Sequence, residues 1–577
     1  MNGECLVAGI GAGELLFSNV GLSFMGGVHP KTGVVIDTHH PLHGQSVCGK
    51  ILAIPSGRGS CAGSLAIFEL IMNGHAPSAL VLQHKETILT LGVLIAKELF
   101  RKSIPVVRLS AEDFASLAEA RHAVVHDGQV DLHAAAPAFM ADDGDSITVD
   151  LEGFELTETD QRFLDGEFGE AARVAMRIII RTAQIEGAHS LIDVDMAHID
   201  GCFYHGSGVL QFARRLFELG GRVRIRSTMN SLCVDRRLWQ GLGVDPGLGR
   251  PSDELADTYR AMGVEPTYTC APYLLDGAPA FGQRIAWAES NAVVFANAVL
   301  GARTMKYPDY LDILVAITGR APNADCYLPE KRLATLQINV PRPDVLDDSF
   351  WPALGYHVGK IATNDIPVLT GLEELPISLD DLKAFGAAFA TTSAVAMFHI
   401  VGATPEARTV EEATGGSHGV GRHTITIEAL IETWRELNNA GSADVDLVSL
   451  GNPHFSLTEC ERLAALCTGR MKSDKVDMIV TCGRDVFEKA KKEGFVDVIS
   501  RFGGRFLNDT CWCLISEPVI APRVRYIMTN SGKYAHYGPA AVGREFHFGS
   551  LQRCVDAACS GFAETALPGW LTAGSIS

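Results

Sequence analysis

Two glycine-rich segments carry residues that could bind an anion and move a proton. The first, PSGRGSCAGS at residues 55–64, follows an apolar stretch and precedes the helical run 65–72. Small residues in such a turn let backbone amides converge on an anion, with Arg58 supplying charge and Ser60 or Ser64 a hydroxyl. The segment lacks the lysine of a Walker loop, so a plain tight turn is the alternative interpretation.

The second segment, TNSGKYAHY at residues 529–537, follows the apolar stretch VRYIM. It offers Asn530, Ser531 and Lys533 in a turn of small residues, a combination that suits a carboxylate or a phosphate equally well. A solvated surface turn is the alternative here.

The chain contains 14 cysteines, and some of them could be metal ligands. None forms the close CxxC pairs typical of zinc ribbons or ferredoxin-type clusters, and Cys511 and Cys513 are separated by one residue. Cys270 in EPTYTCAPYL and Cys511 in LNDTCWCLI stand beside polar residues at predicted strand or loop edges, where a metal could reach a thiolate. A buried structural role is the usual alternative for a free cysteine.

The elements that must position these residues alternate between strand and helix patterns. Strands are predicted at Lys50–Ile54, Ala79–Leu82 and Pro105–Val107, with helices between them, in a domain that ends near Val125. Residues 127–158 are rich in Ala, Asp and Gly without helical periodicity, which predicts a linker.

The region after this linker continues the alternation. Thr157 precedes an acidic first turn, and helical spacing of apolar residues predicts one helix through FLDGEFGEAARVAMRIIIRTAQIEG. The segments SLIDVDMAHI, GRVRIRSTMN, VDMIVTC, WCLISEPVI and VRYIMTN are predicted as strands, and SGVLQFARRLFELG, DELADTYRAMG and LKAFGAAFATTSAVAMF as helices. Such alternation indicates an α/β fold.

Length and composition limit the possible functions. A chain of 577 residues, 47% hydrophobic and 20% charged, is typical of a globular enzyme with two to four domains. A net charge of -19 argues against binding nucleic acid. We see no membrane-spanning stretch and no signal peptide, so we expect a cytoplasmic protein that keeps its cysteines as thiols.

The segments GRGSCAGS, TYTCAPYL, RIAWAESNAVVFANAVLGART, LGYHVGK, LGNPHFS, NDTC and TNSGK, in this order, resemble the aconitase X family across nearly the whole chain. The resemblance implies a multi-domain, aconitase-like α/β architecture. Residues 1–145 would form an N-terminal swivel domain, and residues 155–577 a larger catalytic α/β/α region.

The resemblance also implies an activity, that of an iron-dependent dehydratase acting on a small molecule. Single-chain bacterial members dehydrate cis-3-hydroxy-L-proline to Δ1-pyrroline-2-carboxylate, whereas two-subunit archaeal relatives dehydrate mevalonate 5-phosphate. The fused arrangement of this chain favours the hydroxyproline reaction. The alternatives are a dehydratase of another hydroxy acid, such as mevalonate 5-phosphate, and a non-catalytic iron–sulfur binding protein. The oligomeric state stays open.

By the same resemblance, iron is held near Cys270 and Cys511. Where archaeal relatives have a cysteine in LGCPH, this chain has Asn452 in LGNPH, so a third thiolate must come from elsewhere. Cys61 and Cys326 are the two candidates. Mononuclear iron and a 2Fe–2S cluster are both compatible with the sequence.

The resemblance gives roles to the remaining residues. Ser60 resembles the serine of the aconitase swivel loop and is the expected general base, with Ser64 as its substitute. Glu289 of AWAESNA is expected to be a carboxylate ligand or an acid–base group, and Lys533 and Ser531 are expected to bind the substrate carboxylate.

Two further residues of STMNS, Thr228 and Asn230, are expected to line the pocket together with Arg58 and Asn530. Histidines could also supply acid groups, although a lone histidine beside an apolar strand is more often a hydrogen-bonded core residue. The histidines considered are His198, His205, His357 and His454.

Overall fold

The computed structural model describes residues 1–37, 40–58, 61–133, 149, 151–417 and 419–572. Within these ranges the strands form sheets of seven, three, two, four and five strands, with helices between them. The expected multi-domain α/β architecture is thereby confirmed.

The N-terminal part of the chain is built on the seven-stranded sheet, whose order is β1-β5-β4-β3-β2-β6-β7. Its strands are β1 (Glu4–Val7), β2 (Ile10–Phe17), β3 (Ile51–Ile54), β4 (Ala79–Leu82), β5 (Val106–Arg108), β6 (His122–His126) and β7 (Gln129–His133). Its helices are α1 (Gly63–Asn73), α2 (Ile88–Phe100) and α3 (Ala111–Ser116).

Apolar patterning locates this sheet well. The three predicted strands correspond to β3, β4 and β5 within one residue at each end, and they form its parallel centre. The prediction of a linker from residue 127 is wrong at its start, because β7 pairs with β6 and extends the sheet to residue 133. Residues 134–148 and 150 of the predicted linker lie outside the described residues.

The next part of the chain contains a parallel three-stranded sheet, β10-β9-β11, and a two-stranded antiparallel sheet, β12-β8. The strands are β8 (Leu191–Asp193), β9 (Met196–Ile199), β10 (Arg226–Met229), β11 (Ile285–Trp287) and β12 (Arg320–Pro322). The helices are α4 (Glu158–Leu164), α5 (Glu170–Ile185), α6 (Ser207–Glu218), α7 (Pro246–Ala261), α8 (Ser290–Phe295) and α9 (Leu311–Thr318).

The predicted start of the first of these helices is confirmed, since Thr157 caps α4 in a capping box with Asp160. The prediction of one continuous helix is wrong. Gly166 and Gly169 adopt positive φ angles of 82° and 94°, which interrupt the helix and separate α4 from α5.

The third part of the chain carries a parallel sheet of order β15-β14-β13-β16. Its strands are β13 (Leu336–Asn339), β14 (Pro367–Thr370), β15 (His399–Ile400) and β16 (Gly421–Thr424). Its helices are α10 (Phe350–Ile361), α11 (Leu379–Thr392), α12 (Val410–Thr414) and α13 (Ile427–Leu437).

The last part carries a parallel sheet of order β19-β18-β17-β20-β21. Its strands are β17 (Leu447–Leu450), β18 (Asp477–Thr481), β19 (Arg505–Leu507), β20 (Tyr526–Thr529) and β21 (Glu545–Phe548). Its helices are α14 (Leu457–Cys467), α15 (Arg484–Lys492), α16 (Phe495–Phe502), α17 (Gly532–Val542), α18 (Leu551–Ser560) and α19 (Gly569–Thr572). The predicted strand WCLISEPVI is wrong, because these residues form turns after β19.

The N-terminal part packs on the second part through α1 and α6. The ring of Phe68 lies 6.4 Å from that of Phe212 and 5.6 Å from that of Tyr310. Glu69 accepts a hydrogen bond of 2.8 Å from the backbone NH of Gly208, so a carboxylate of α1 caps the first turn of α6. This contact fixes the helix that follows the first glycine-rich segment.

Of the helices in the described ranges, none combines the length and the apolar character that a bilayer crossing requires.

Candidate functional site

The candidate site lies where strands of two parallel sheets end. Asp200, Asn230 and Glu289 follow β9, β10 and β11 within two residues. Residues 451–454, 508–513 and 530–533 follow β17, β19 and β20. Because the carboxyl ends of parallel strands share one edge of a sheet, each sheet gathers its own polar residues there, which is where α/β proteins bind ligands.

Three cysteine sulfurs form a contiguous row at this edge. The thiol of Cys511 is hydrogen-bonded to the sulfurs of both Cys270 and Cys513. Cys270 and Cys511 are buried, and Cys513 is partly exposed. The intervening Trp512 is fully buried, and its indole NH donates to the Leu450 carbonyl at 2.8 Å. The indole thus anchors the segment that carries the last two cysteines.

The hydrogen bonds within this row shift the thiol pKa values in opposite directions. Contacts with Cys270, with Cys513, and burial raise the pKa of Cys511. Burial alone would raise the pKa of Cys270, but the bond from Cys511 and the neighbouring His454 lower it. The bond from Cys511 also lowers the pKa of Cys513, and burial opposes this effect. The outer two sulfurs are therefore the ones that favour the thiolate form.

A loop after β17 holds all three cysteines. The Asn452 amide donates to the sulfurs of Cys511 and Cys513 at 3.3 Å each. The backbone NH of His454 donates to the sulfur of Cys270 at 3.4 Å. Asn452, which stands where the resemblance leads one to expect a cysteine, is thus a hydrogen-bond donor to two sulfurs.

A buried ion pair joins the two sheets. The Lys533 ammonium, in the first turn of α17, lies 2.8 Å from Glu289 Oε1, at the N-cap of α8. Burial would raise the pKa of Glu289, but the Lys533 charge and hydrogen bond lower it to about 2. The charges of Glu289 and of the Cys513 and Cys511 sulfurs raise the pKa of Lys533 despite its burial. Both groups are therefore ionised at neutral pH, beside the thiols.

Two further carboxyl groups lie next to this pair. The Asn230 amide donates to Glu289 Oε2 at 3.3 Å and also to the Asp200 carboxylate. Burial and the charge of Glu289 raise the pKa of Asp200. Burial and the charge of Asp200 raise the pKa of Asp309. The site thus combines an ionised carboxylate with carboxyl groups that favour the protonated form.

The first glycine-rich segment reaches the same region. Its residues 59 and 60, and therefore Ser60, lie outside the described residues. The next residue, Cys61, is buried, and its carbonyl accepts hydrogen bonds from the Asp309 NH at 3.4 Å and the Ser64 hydroxyl at 3.1 Å. Ser64 also donates to the Asp309 carbonyl at 3.0 Å. The residue after Ser60 is thus bonded to the loop that carries Asp309.

The surroundings of Cys61 support its placement at the site. Burial raises the pKa of its thiol, and the neighbouring charges are those of Lys306, Asp309, Asp200 and Glu289. Tyr537 is influenced electrostatically by Lys533, Cys513, Glu289 and Cys61 together. The N-terminal part therefore meets the ion pair and the sulfurs in one region.

The other residues predicted for substrate binding fall into different settings. Arg58 is exposed and pairs with Asp37 at 2.7 Å. The Thr228 hydroxyl is bonded to His198 Nδ1 at 2.8 Å. Ser531 caps α17 through the Tyr534 NH at 3.1 Å.

Asn530 lines a small cleft behind Asn452 and Ser531, on the side of Lys383. Cys326, a predicted candidate ligand, is buried beside Asp325, away from the sulfur row.

Three of the four histidines considered, His198, His357 and His454, are hydrogen-bonded to neighbouring side chains. His454 uses both ring nitrogens, at 3.0 Å from the Thr269 hydroxyl and 2.8 Å from the Thr510 carbonyl. Burial lowers the pKa of each of the other three, His198, His205 and His357, to about 4.

Sequence reasoning did not select Cys513, Asp200 or Asp309. The separation of Cys511 and Cys513 by one residue is the signal that two thiols lie close together in the chain. Asp200 and Asp309 belong to no recognisable motif, and only the fold brings them together.

Family models match the chain in four consecutive blocks. They are the aconitase X swivel domain at residues 1–132, the first domain at 153–330, the second at 334–435 and the third at 445–560. The chain belongs to the aconitase X family. The resemblance predicted from the sequence is thereby confirmed.

Several relatives match this chain over long ranges. A cis-3-hydroxy-L-proline dehydratase of Hypocrea jecorina is 51% identical over 99% of this chain and 97% of its own length. A dehydratase of the same name from Pseudomonas aeruginosa is 48% identical over 98% of both chains. The crystal structure of Thermococcus kodakaraensis aconitase X in its holo form matches with a TM-score of 0.63 and 32% identity, covering 70% of this chain and all of that one.

The donor chemistry of the sulfur row fits iron. Three adjacent sulfurs, two of which favour the thiolate form, are soft ligands of the kind that bind iron and iron–sulfur clusters. Within the described part of the chain, no group of three or more Cys, His, Asp or Glu side chains is arranged so that it could hold a metal ion. The argument for iron therefore rests on the sulfur chemistry of the three side chains and on their contact with one another.

Proposed function

We propose that this member of the aconitase X family dehydrates cis-3-hydroxy-L-proline to Δ1-pyrroline-2-carboxylate. The observation that carries the proposal is the Lys533–Glu289 pair, whose neighbours include the sulfurs of Cys511 and Cys513 and, from the N-terminal part, Cys61. The names and full-length similarity of the Hypocrea and Pseudomonas relatives support the same substrate.

The charge of this pair matches a zwitterion. Lys533 and Glu289 neutralise each other in the free protein. A substrate with one carboxylate and one ring ammonium can pair its carboxylate with Lys533 and its ammonium with Glu289. Neither protein group is then left without an opposite charge. A phosphate dianion offers no cation to Glu289. The pair therefore favours an imino acid over mevalonate 5-phosphate.

In the proposed mechanism, Lys533 holds the substrate carboxylate, and Glu289 accepts a hydrogen bond from the ring ammonium. Because its pKa is about 2, Glu289 is an acceptor and not a proton donor at neutral pH. Asn230 keeps the Glu289 carboxylate in place from its other oxygen. These contacts fix the ring so that its α-proton and 3-hydroxyl keep defined positions.

Ser60 is the proposed general base. It removes the α-proton, the C–H electron pair forms the C2–C3 double bond, and the C3–O bond breaks. The enamine then passes its nitrogen proton to C3 and becomes the imine. The turn supports this role because Cys61, the next residue, is bonded to the Asp309 loop.

The departing hydroxyl requires a proton to leave as water. Asp200 and Asp309 are the proposed source, because their surroundings favour the protonated carboxyl. Cys270, Cys511 and Cys513 would hold iron, as a single ion or a 2Fe–2S cluster, and bound iron supplies Lewis-acid chemistry for the hydroxyl. Thiols kept reduced for this purpose suit a cytoplasmic protein.

The proposal is tested by turnover of cis-3-hydroxy-L-proline in heavy water by the wild type, Ser60→Ala and Ser56→Ala. We expect wild-type turnover to release Δ1-pyrroline-2-carboxylate, and Ser60→Ala to be at least about 100-fold slower in turnover and in exchange of the α-proton. Ser56→Ala, in the same turn, should match the wild type. Wild-type protein with bound iron that leaves the substrate unchanged would refute the function, and an active Ser60→Ala would refute the base.

A further inference from the structure

The two segments that bring Cys270 and Cys511 together share one local construction. Each cysteine is preceded by a threonine and, before it, by a residue with a left-handed backbone. Tyr268 has φ 48° and Asp509 has φ 58°. Residues other than glycine occupy this region sparsely, so surrounding contacts must hold both turns in place.

One arginine contacts both of these residues. The Arg484 guanidinium donates to Asp509 through Nε and Nη2, at 2.6 Å to each carboxylate oxygen. Its other surface lies over the Tyr268 ring, with 4.7 Å between the guanidinium carbon and the ring centroid. Asp509 is fully buried, and Tyr268 nearly so. Arg484 therefore holds the two left-handed residues against each other.

A second arginine completes the contact from the opposite domain. Arg236 Nη1 donates to the Tyr268 hydroxyl at 2.8 Å, and the Arg236 backbone NH donates to Asp509 Oδ2 at 3.2 Å. Tyr268 and Arg236 lie in the first aconitase X domain, whereas Arg484 and Asp509 lie in the third. The contact thus spans the boundary that also separates Cys270 from Cys511.

We propose that Arg484 is a positioning residue that holds the Cys270 and Cys511 turns in register, so that sulfurs from two domains form one iron site. This inference rests on the proposed iron site. Arg484 begins α15, which follows β18 in the chain. It acts through Tyr268 and Asp509, not through the sulfurs themselves.

The chemistry requires arginine at this position. A planar guanidinium can bind both oxygens of one carboxylate and stack on an aromatic ring at the same time. A lysine keeps the charge but offers neither the two-point contact nor the flat face. Arg484→Lys should therefore behave like Arg484→Gln.

The test compares Arg484→Gln and Arg484→Lys with Arg470→Gln. Arg470 lies in the same domain, is similarly exposed, and pairs with Asp556 at 2.6 Å, which makes it a matched control. The first measurement is the alkylation rate of Cys270 and Cys511 in the metal-free full-length protein, read by peptide mass spectrometry. The second is iron affinity after reconstitution with ferrous iron and sulfide.

We expect both Arg484 variants to alkylate faster at the two cysteines and to bind iron about 10-fold more weakly. Arg470→Gln should match the wild type in both measurements. Unchanged alkylation in the Arg484 variants would overturn the proposal. If the wild type takes up no iron, the iron site fails, and the alkylation rates alone decide on the positioning role. If Arg484→Gln does not fold, Arg484→Lys gives the same comparison.

Discussion

At the scale of single residues, Lys533 determines the state of Glu289. Burial acts to raise the pKa of this carboxyl, and the Lys533 charge reverses the effect. In the wild type, Glu289 should stay ionised at every pH where the enzyme works. A protonation seen in the acid limb of the wild-type rate profile should therefore belong to another group.

Replacing Lys533 by Met should reverse this balance. Burial then dominates, the pKa of Glu289 rises, and the acid limb of the kcat/KM profile moves to higher pH. The loss of the carboxylate partner should also lower kcat/KM by about 100-fold or more. A profile between pH 5 and 9 checks both effects, and Lys360→Met, which removes an exposed pair with Glu436, should leave the profile unchanged. An acid limb that stays in place in Lys533→Met would contradict the proposed role.

Cys513 provides a second prediction at this scale. Because its sulfur contacts Cys511, Cys513→Ser should lose most of the bound iron, whereas Cys326→Ser should retain it. Iron and acid-labile sulfide per chain are the quantities to measure, and their ratio also distinguishes a single ion from a cluster. Cys467→Ser, a change in α14 away from the row, is the control. Full iron content in Cys513→Ser would exclude it as a ligand.

At the scale of elements, Glu69 joins α1, which follows the first glycine-rich segment, to the first turn of α6. Glu69→Ala should leave the Gly208 NH buried without its acceptor and lower the unfolding free energy by about 1 to 2 kcal/mol. It should also lower kcat/KM while iron content stays unchanged. Glu69 lies in the swivel domain, whereas the three sulfurs lie in the first and third domains.

Urea unfolding, iron content and turnover check this prediction together. Glu14→Ala, which removes a more exposed pair with Lys50 in the same domain, should change none of the three. A Glu69→Ala protein with wild-type turnover would mean that this cap does not position the turn.

Elements were predictable where one sequence pattern determined them. The buried strands β3 and β4 are continuous apolar runs, and the Thr157 cap is a local signal. The break between α4 and α5 was missed because apolar spacing continues across Gly166 and Gly169, although their positive φ angles end the helix. WCLISEPVI reads as a strand because most of its residues are apolar, but its residues form turns after β19.

The candidate site was predictable only in part, because some of its residues stand in recognisable sequence motifs and others do not. Cys270, Cys511, Glu289 and Lys533 stand in motifs of the aconitase X resemblance, and the structure brings them to one region. Asp200 and Asp309 are single acids whose meaning depends on neighbours far away in sequence.

At the scale of the whole molecule, the site takes its parts from three domains. The first domain supplies Glu289 and Cys270, the third supplies Lys533 and the other two sulfurs, and the swivel domain supplies the turn at Cys61. Such a site forms only when the domains are docked, so domain contacts such as those of Glu69 and Arg484 are expected to affect catalysis without touching the substrate.

The most direct test of the account is a comparison of two substrates with one iron-loaded sample of purified protein. We predict that cis-3-hydroxy-L-proline loses water to give Δ1-pyrroline-2-carboxylate, and that mevalonate 5-phosphate is turned over at least about 100-fold more slowly because it leaves Glu289 without a cation. Preference for the phosphorylated substrate, or no turnover of either by iron-loaded protein, would contradict the account.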